Sequence, residues 1–226
     1  MLAMILAAGR GERMRPLTDA TPKVLLKVGG KPLVQWHVER LRSALFERIV
    51  INHAWLGEQI EQALGDGTRF GLRIQYSREA QALETAGGIV NALPLIGAEP
   101  FVVVNGDVFT DFDFALLIPR LTALASSDLL AHLVLVDNPP HHPTGDFALT
   151  GQRVSAEAWP RLTFSGIGVY RPELFRAVDA GQRAQLAPLL RAAMGKGVVT
   201  GEFYHGRWFD VGTPARLAEL NRPVGH

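Results

Sequence analysis

At 226 residues, 47% of them hydrophobic, the chain has material for one substantial core and is too short for two independent ones. A net charge of only +1, with no basic run interleaved with aromatics, argues against nucleic acid as a partner, and the lack of cysteine excludes disulfides, thiolate catalysis and cysteine metal sites. No apolar window reaches the roughly 18 residues of a membrane span, and the N-terminal apolar run breaks too soon for a signal peptide, so a cytoplasmic protein is expected.

Taken in order, apolar segments alternate between strand and helix character. Leu2–Leu6 reads as a buried strand running into the small-residue turn Ala7-Ala8-Gly9-Arg10-Gly11. A helix is expected from Pro32 through residue 45, with Leu33, Trp36, Val38, Leu41 and Leu45 as its buried stripe. Arg48–Asn52 is a second strand, favoured by its β-branched run. Leu56, Ile60 and Leu64 mark a helix closed by Gly65, and Leu72–Tyr76 alternates as a third strand. Residues 83–93 read as a helix despite Gly87-Gly88, and Phe101–Asn105 is the most apolar strand. This succession predicts parallel pairing with helices on both faces.

A helix at about 113–126 and a strand at His132–Val136 continue the pattern, and then the texture changes. Residues 137–146 form a long turn-rich connection, followed by a hairpin-like region at 147–155 and a strand at Thr163–Tyr170. A helix at Gln185–Met194, a strand at Val198–Tyr204 and a last helix at 215–221 complete the series. The fold class is α/β, Rossmann-like, with a mostly parallel mixed sheet. The second half extends it over the strand ends, where such sheets place their ligand crevice.

The turn after the first strand is neither the G-x-G-x-x-G fingerprint nor a P-loop, since Gly11 is followed by Glu12 and Arg13. Small residues followed by Arg10, Arg13, Arg15 and Lys23 nevertheless suit an anion. Residues 1–50 hold nine Lys/Arg against four Asp/Glu, whereas residues 101–150 hold six Asp against one Arg. That asymmetry allows a basic phosphate-receiving edge to face acidic metal ligands across one cleft. Asp107, in Asn105-Gly106-Asp107 at a strand end, suits a hard divalent cation or a loop cap, and Asp111 or Asp113 suits a helix cap. Asp210, in Trp208-Phe209-Asp210-Val211-Gly212-Thr213, needs a partner among its apolar neighbours, and with Asp107 it could hold Mg2+. Glu84-Thr85-Ala86-Gly87 could lie against a planar base or simply start a closely packed helix. His53, His141, His142 and His205 show no metal-ligand spacing, and Ser165 lacks the context of an esterase nucleophile.

The stretch Leu6 through Lys23, L-A-A-G-x-G-x-R-M-x-P-L-T…P-K, resembles the signature of the sugar-1-phosphate nucleotidylyltransferases. N-G-D at 105–107 and W-x-D-x-G-T at 208–213 are similar to that family's two metal-bearing motifs, so the likeness covers essentially the whole chain. VINHAWLG (50–57), LVLVDNPPHHPTGDFAL (133–149) and LTFSGIGVY (162–170) resemble the branch that joins UTP to N-acetylmuramate 1-phosphate in peptidoglycan recycling. The resemblance implies the nucleotide-diphospho-sugar transferase fold and a single domain, 1–226, with a nucleotide-binding core at 1–136. Residues 137–226 would bind the sugar and complete the metal site. It implies Mg2+ on Asp107 and Asp210, with UTP and a sugar 1-phosphate as partners of a monomer. Ala8, Gly9, Arg10 and Gly11 would surround the nucleotide phosphates, Arg15 the departing pyrophosphate, and Lys23 the α-phosphate. Glu84 and Thr85 would face uracil, and Asn105 the ribose or sugar. Gly145, Asp146, Phe164, Ser165 and Gly166 would line the sugar pocket.

Two departures stand out. No lysine occurs between Lys31 and Lys196, where many relatives carry a Glu-Lys pair for the sugar phosphate, so that contact is missing, replaced by an arginine such as Arg161, or left to Lys23. Residues 83–87 read Leu-Glu-Thr-Ala-Gly, where relatives often have Leu-Gly-Thr-Ala-Gly. A thymidylyl- or guanylyltransferase acting on glucose or mannose 1-phosphate shares every catalytic residue, and a nucleotide-binding module without catalysis is the rival of another class.

Overall fold

The alternation of the first half is realised as four parallel strands in a computed structural model that describes residues 1–222. Strand β1 (Leu2–Leu6) leads through helix α1 (Leu17–Ala20) and a small hairpin, β2 (Lys27–Val28) and β3 (Lys31–Pro32), into α2 (Leu33–Ser43). Then come β4 (Arg48–His53), α3 (Gly57–Leu64), β5 (Arg73–Arg78), α4 (Glu84–Ile96) and β6 (Phe101–Asn105). The second half adds β7 (Val108–Thr110), α5 (Ile118–Ala125), β8 (Ala131–Val136), β9 (Ala148–Thr150), β10 (Arg153–Ser155) and β11 (Thr163–Tyr170). Helix α6 (Leu186–Gly195), β12 (Val199–Phe203), β13 (Trp208–Asp210) and α7 (Pro214–Leu220) complete the described chain.

Nine strands form one sheet in the order β5-β4-β1-β6-β11-β8-β12-β10-β9. The block β5-β4-β1-β6 is parallel throughout, as right-handed crossovers require. Strand β11 then runs antiparallel to both β6 and β8, β12 returns parallel to β8, and β10 and β9 close the edge antiparallel. The sheet is mixed, and its antiparallel pairings all involve the second half.

Alternate residues of each central strand feed opposite faces. Ala3, Ile5, Val102 and Val104 belong to a core covered by Val34, Val38 and Leu41 of α2, by α3 and by α5. Leu2, Met4, Phe101 and Val103 face Ile89, Val90 and Ala92 of α4 and Leu186 and Leu190 of α6. The buried face of α2 is Leu33, Val34, His37, Val38 and Leu41, which corrects the expected stripe at Trp36, only half-buried, and at its end. Leu45 lies beyond the helix, 64% exposed, at φ 65°, where the chain reverses into β4. The helix expected at 113–126 begins as a 3-10 turn at Phe114–Leu117, capped by Asp113 accepting from Ala115 N.

A third, smaller core of Met14, Val28, Leu33, Phe109 and Val211 joins the turn after β1 to β7 and β13. Strands β7 and β13 pair antiparallel outside the main sheet, with Asp210 opposite Val108. That ladder brings the C-terminal segment back to the chain just after β6, at the carboxyl edge of the sheet.

Candidate active site

Three cavities of about 320, 420 and 300 Å3 open along this edge, and Asn105 at the end of β6 lines all three. The first is lined by Ala7, Ala8, Gly9, Lys23, Asn52, Glu84, Thr85, Asp107 and Arg183, gathered from β1, β4, α4 and β6. Its floor is set by Asn52, whose Oδ1 accepts from Ala7 N (3.0 Å) while its Nδ2 donates to Glu79 Oε1 (2.7 Å). Glu79 Oε2 in turn accepts from Leu83 N (2.9 Å), so one buried pair of side chains fixes both the turn after β1 and the start of α4. Burial raises the Glu79 carboxyl above its ordinary range, against the opposing pull of its bonds to Asn52 and Leu83. The approach requires a glycine at 88, since a Cβ there would stand 2.6 Å from Asn52 Nδ2.

The start of α4 is specialised. Glu84 adopts φ 63°, the left-handed region, which accounts physically for a position where glycine is at ease. Its carboxylate pairs with Arg183 (2.6 Å). Ala184 O accepts from both Ala86 N (3.0 Å) and Gly87 N (3.1 Å), and Ala184 N donates to Leu83 O. Those two amides are therefore committed to the chain itself, and Glu84 and Thr85 are left to face the cavity.

Behind Gly9, Arg10 stacks on Trp55 at 4.4 Å, and Trp55 Nε1 donates to Thr18 O. Thr18 Oγ1 donates to Gly11 O (2.8 Å), closing the loop on itself. Lys23 is buried, with Nζ 2.5 Å from Asp107 Oδ2. Fully buried Met14 anchors the loop, and Arg13 beside it lines the second cavity with Asp107 and Asp210. Arg15 is half exposed, paired with Asp19 (2.9 Å), and lines none of the three cavities. Arg13, not Arg15, thus reaches the cleft. The signal was available in sequence, because Arg13 occupies the fixed arginine of L-A-A-G-x-G-x-R-M.

Asp107 and Asp210, over a hundred residues apart, meet through the β7–β13 ladder, in which Val211 N donates to Asp107 O (3.0 Å). Asp210 Oδ2 lies 2.5 Å from Arg216 Nη1 and 3.4 Å from His141 Nε2. Each carboxylate is therefore charge-compensated. Among the described residues no group of three or more His, Cys, Asp or Glu converges to hold a metal. Two hard oxygen donors fit Mg2+, which takes one or two carboxylates and fills its remaining positions with water and phosphate oxygens.

The second cavity continues over Pro139, His141, His142, Thr163, Phe164 and Trp208. Asp146 Oδ2 accepts from Phe164 N (2.8 Å) and Oδ1 lies 3.1 Å from His142 Nε2. Asp146 and Phe164 also line the third cavity, with Glu84, Thr85 and Gln185. The Ser165 hydroxyl is buried, donating to Val134 O (2.7 Å) and accepting from Ile167 N, so Ser165 meets the cavity through its backbone. Gly145 and Gly166 line neither cavity. Gly166, at φ 79°, backs onto Asn105, and a Cβ there would lie 2.5 Å from Asn105 Nδ2. Arg161 lines none of the three cavities, its guanidinium donating to Ala156 O and Ala158 O beside the Trp159 ring. His37 on α2 accompanies the acidic pair from below: fully buried, it contacts Val108 O (2.9 Å), and burial lowers its pKa from 6.5 to about 4.

Comparison with known proteins accords with this edge. Residues 2–149 match the model of the nucleotidyl transferase family. The chain is 56% identical, over 100% of its length and 99% of the relative's, to an N-acetylmuramate alpha-1-phosphate uridylyltransferase of Neisseria meningitidis. It is 33% identical to a Caulobacter vibrioides protein of the same description, over 96% of this chain and 97% of that one. A crystal structure of a putative glucose-1-phosphate thymidylyltransferase from Bacillus anthracis superposes with a TM-score of 0.85 at 23% identity, covering 98% and 94% of the two chains. That likeness concerns the fold. The chain belongs to the nucleotidyl transferase family.

Proposed function

We propose that the protein transfers uridylate from UTP to N-acetylmuramate α-1-phosphate, releasing pyrophosphate and forming UDP-N-acetylmuramate for cell-wall recycling. The observation that carries this reading is the full-length 56% identity to a relative so described, on a chain whose cavities meet at Asn105 and Asp107. A first cavity for the nucleotide and a second for the sugar phosphate would place their reacting ends on either side of Asp107. On this reading residues 1–136 supply the nucleotide side, and residues 137–226 supply the sugar side and Asp210. UTP supply puts the reaction in the cytoplasm.

The reaction is a displacement at the α-phosphorus. A phosphate oxygen of the sugar 1-phosphate is already anionic at neutral pH, so no histidine base or covalent nucleophile is needed. The chain's work is to align two polyanions and stabilise charge as it moves onto pyrophosphate. The Ala8–Gly11 backbone orients the triphosphate, and Glu84 and Thr85 meet the base. Arg13 would meet the phosphates with its planar fork, the task the family resemblance gave to Arg15. Lys23 lies at the junction, where it can pass from Asp107 to a phosphate oxygen. Asp107 and Asp210 would hold Mg2+, which when bound neutralises phosphate charge at the transfer point.

The test is pyrophosphate release measured over a matrix of nucleoside triphosphates and sugar 1-phosphates. UTP with N-acetylmuramate 1-phosphate should give the highest kcat/KM. A clear preference for dTTP or GTP with glucose or mannose 1-phosphate would replace the reading by a thymidylyl- or guanylyltransferase, and no release from any pair would leave a binding module.

A further inference from the structure

N-acetylmuramate differs from N-acetylglucosamine by a lactyl ether that carries a carboxylate, so an enzyme selective for it needs a donor or cation away from the transferred phosphate. The acidic side chains of the second cavity, Asp107 and Asp210, already paired with Lys23 and Arg216, offer such a group no donor. Its cation-capable lining residues are Arg13, His141 and His142. Arg13 comes from the phosphate-facing loop, and His141 is turned onto Asp210. No lysine occurs between positions 31 and 196, and Arg161 is bound to backbone carbonyls.

His142 remains. Its Nε2 meets Asp146 Oδ1 (3.1 Å), and Asp146 is itself pinned through Oδ2 by Phe164 N (2.8 Å). The imidazole is therefore oriented by a fixed carboxylate that accepts from Nε2–H, and in its imidazolium form it presents Nδ1–H as a charged donor to a second carboxylate. Its side chain is 38% exposed, and it shares the cavity with Thr163 and Phe164 of β11.

We propose that His142, oriented by Asp146, is the specificity-determining residue for the lactyl carboxylate of the sugar substrate. This rests on the proposed uridylyl transfer to N-acetylmuramate 1-phosphate. The experiment compares wild type, His142→Ala and His142→Gln with UTP against N-acetylmuramate, N-acetylglucosamine and glucose 1-phosphates, with thermal melts for each variant. Wild type preferring N-acetylmuramate over N-acetylglucosamine 1-phosphate establishes the premise, and a wild type without that preference refutes the substrate reading itself. Given the premise, His142→Ala should lower the N-acetylmuramate to N-acetylglucosamine ratio of kcat/KM about tenfold, the worth of one charge-assisted hydrogen bond at a part-exposed site. The N-acetylglucosamine to glucose ratio should stay within about twofold. His142→Gln, which keeps a neutral donor, should lose less. An unchanged N-acetylmuramate ratio in both variants, or an equal loss for all three sugars, would overturn the assignment.

Discussion

Asn52→Ala is expected to separate the two walls of the first cavity, the one proposed for the nucleotide. The side chain is 2% exposed and makes two bonds, at 3.0 Å to Ala7 N and 2.7 Å to Glu79 Oε1. Truncation removes both and leaves a buried amide and a buried carboxylate oxygen without partners. At about 1–3 kcal/mol for each unsatisfied group, the loss should be about 3 kcal/mol. For a chain of this size that is a fall of roughly 6–12 °C in Tm. Urea denaturation with an unchanged slope measures it, and KM for UTP should rise because Ala7 and Leu83 lose their common brace. A loss below about 1 kcal/mol would refute the reasoning. Asn52→Asp sharpens it, since it keeps the acceptor for Ala7 but sets a second carboxylate against Glu79, whose folded-state pKa is already raised by burial. A raised acid contributes stability that is full below its unfolded pKa and is lost as pH rises through the folded one, so this variant's deficit should grow as pH rises above the ordinary carboxylate range.

Arg13→Ala should lower kcat/KM about a hundredfold or more, whereas Arg15→Ala, which breaks only an exposed pair with Asp19, should change it less than about threefold; equal losses would return Arg15 to the site. Gly166→Ala sets a Cβ in left-handed backbone 2.5 Å from Asn105 Nδ2, and should cost about 1–3 kcal/mol and raise KM for both substrates; normal kinetics would show that Asn105 can give way. His37 has its folded pKa lowered by burial from 6.5 to about 4, so the unfolded chain binds more protons between those values. Stability is full above pH 6.5 and falls toward pH 4 by up to about 3 kcal/mol, a slope that urea titrations of His37→Gln should lack.

The parallel half was legible because period does the work there. Ile49-Val50-Ile51 and Phe101–Val104 are buried on both faces, and each is followed by a helical stripe. The order β11-β8-β12 was not legible, because alternation records which face a residue takes and says nothing of which strand lies beside it. The three-residue strands β7 and β13 fall below any detectable period, so the sequence could offer Asp107 and Asp210 as a pair from their acidic turns and from family likeness, but not the ladder that joins them. The buried His37 reads as polar in any hydropathy pattern, and only its contact with Val108 O explains its place. Arg13 and Arg15 differ by two positions in a loop without periodicity. Which one faces the cleft depends on Met14, whose burial in the third core fixes the turn.

The ladder between β7 and β13 makes the acidic pair a checkpoint on chain completion. Residues 1–136 carry the loop after β1, the start of α4 and Asp107, yet β6 finds its second neighbour only in β11, and Asp107 finds Asp210 only after more than seventy further residues are in place. A chain emerging from the ribosome, or one clipped before Trp208, would hold half of a cleft and lack one of its two carboxylates. On the roles proposed for Asp107 and Asp210, turnover is thereby reserved for chains that have been made and folded through β13.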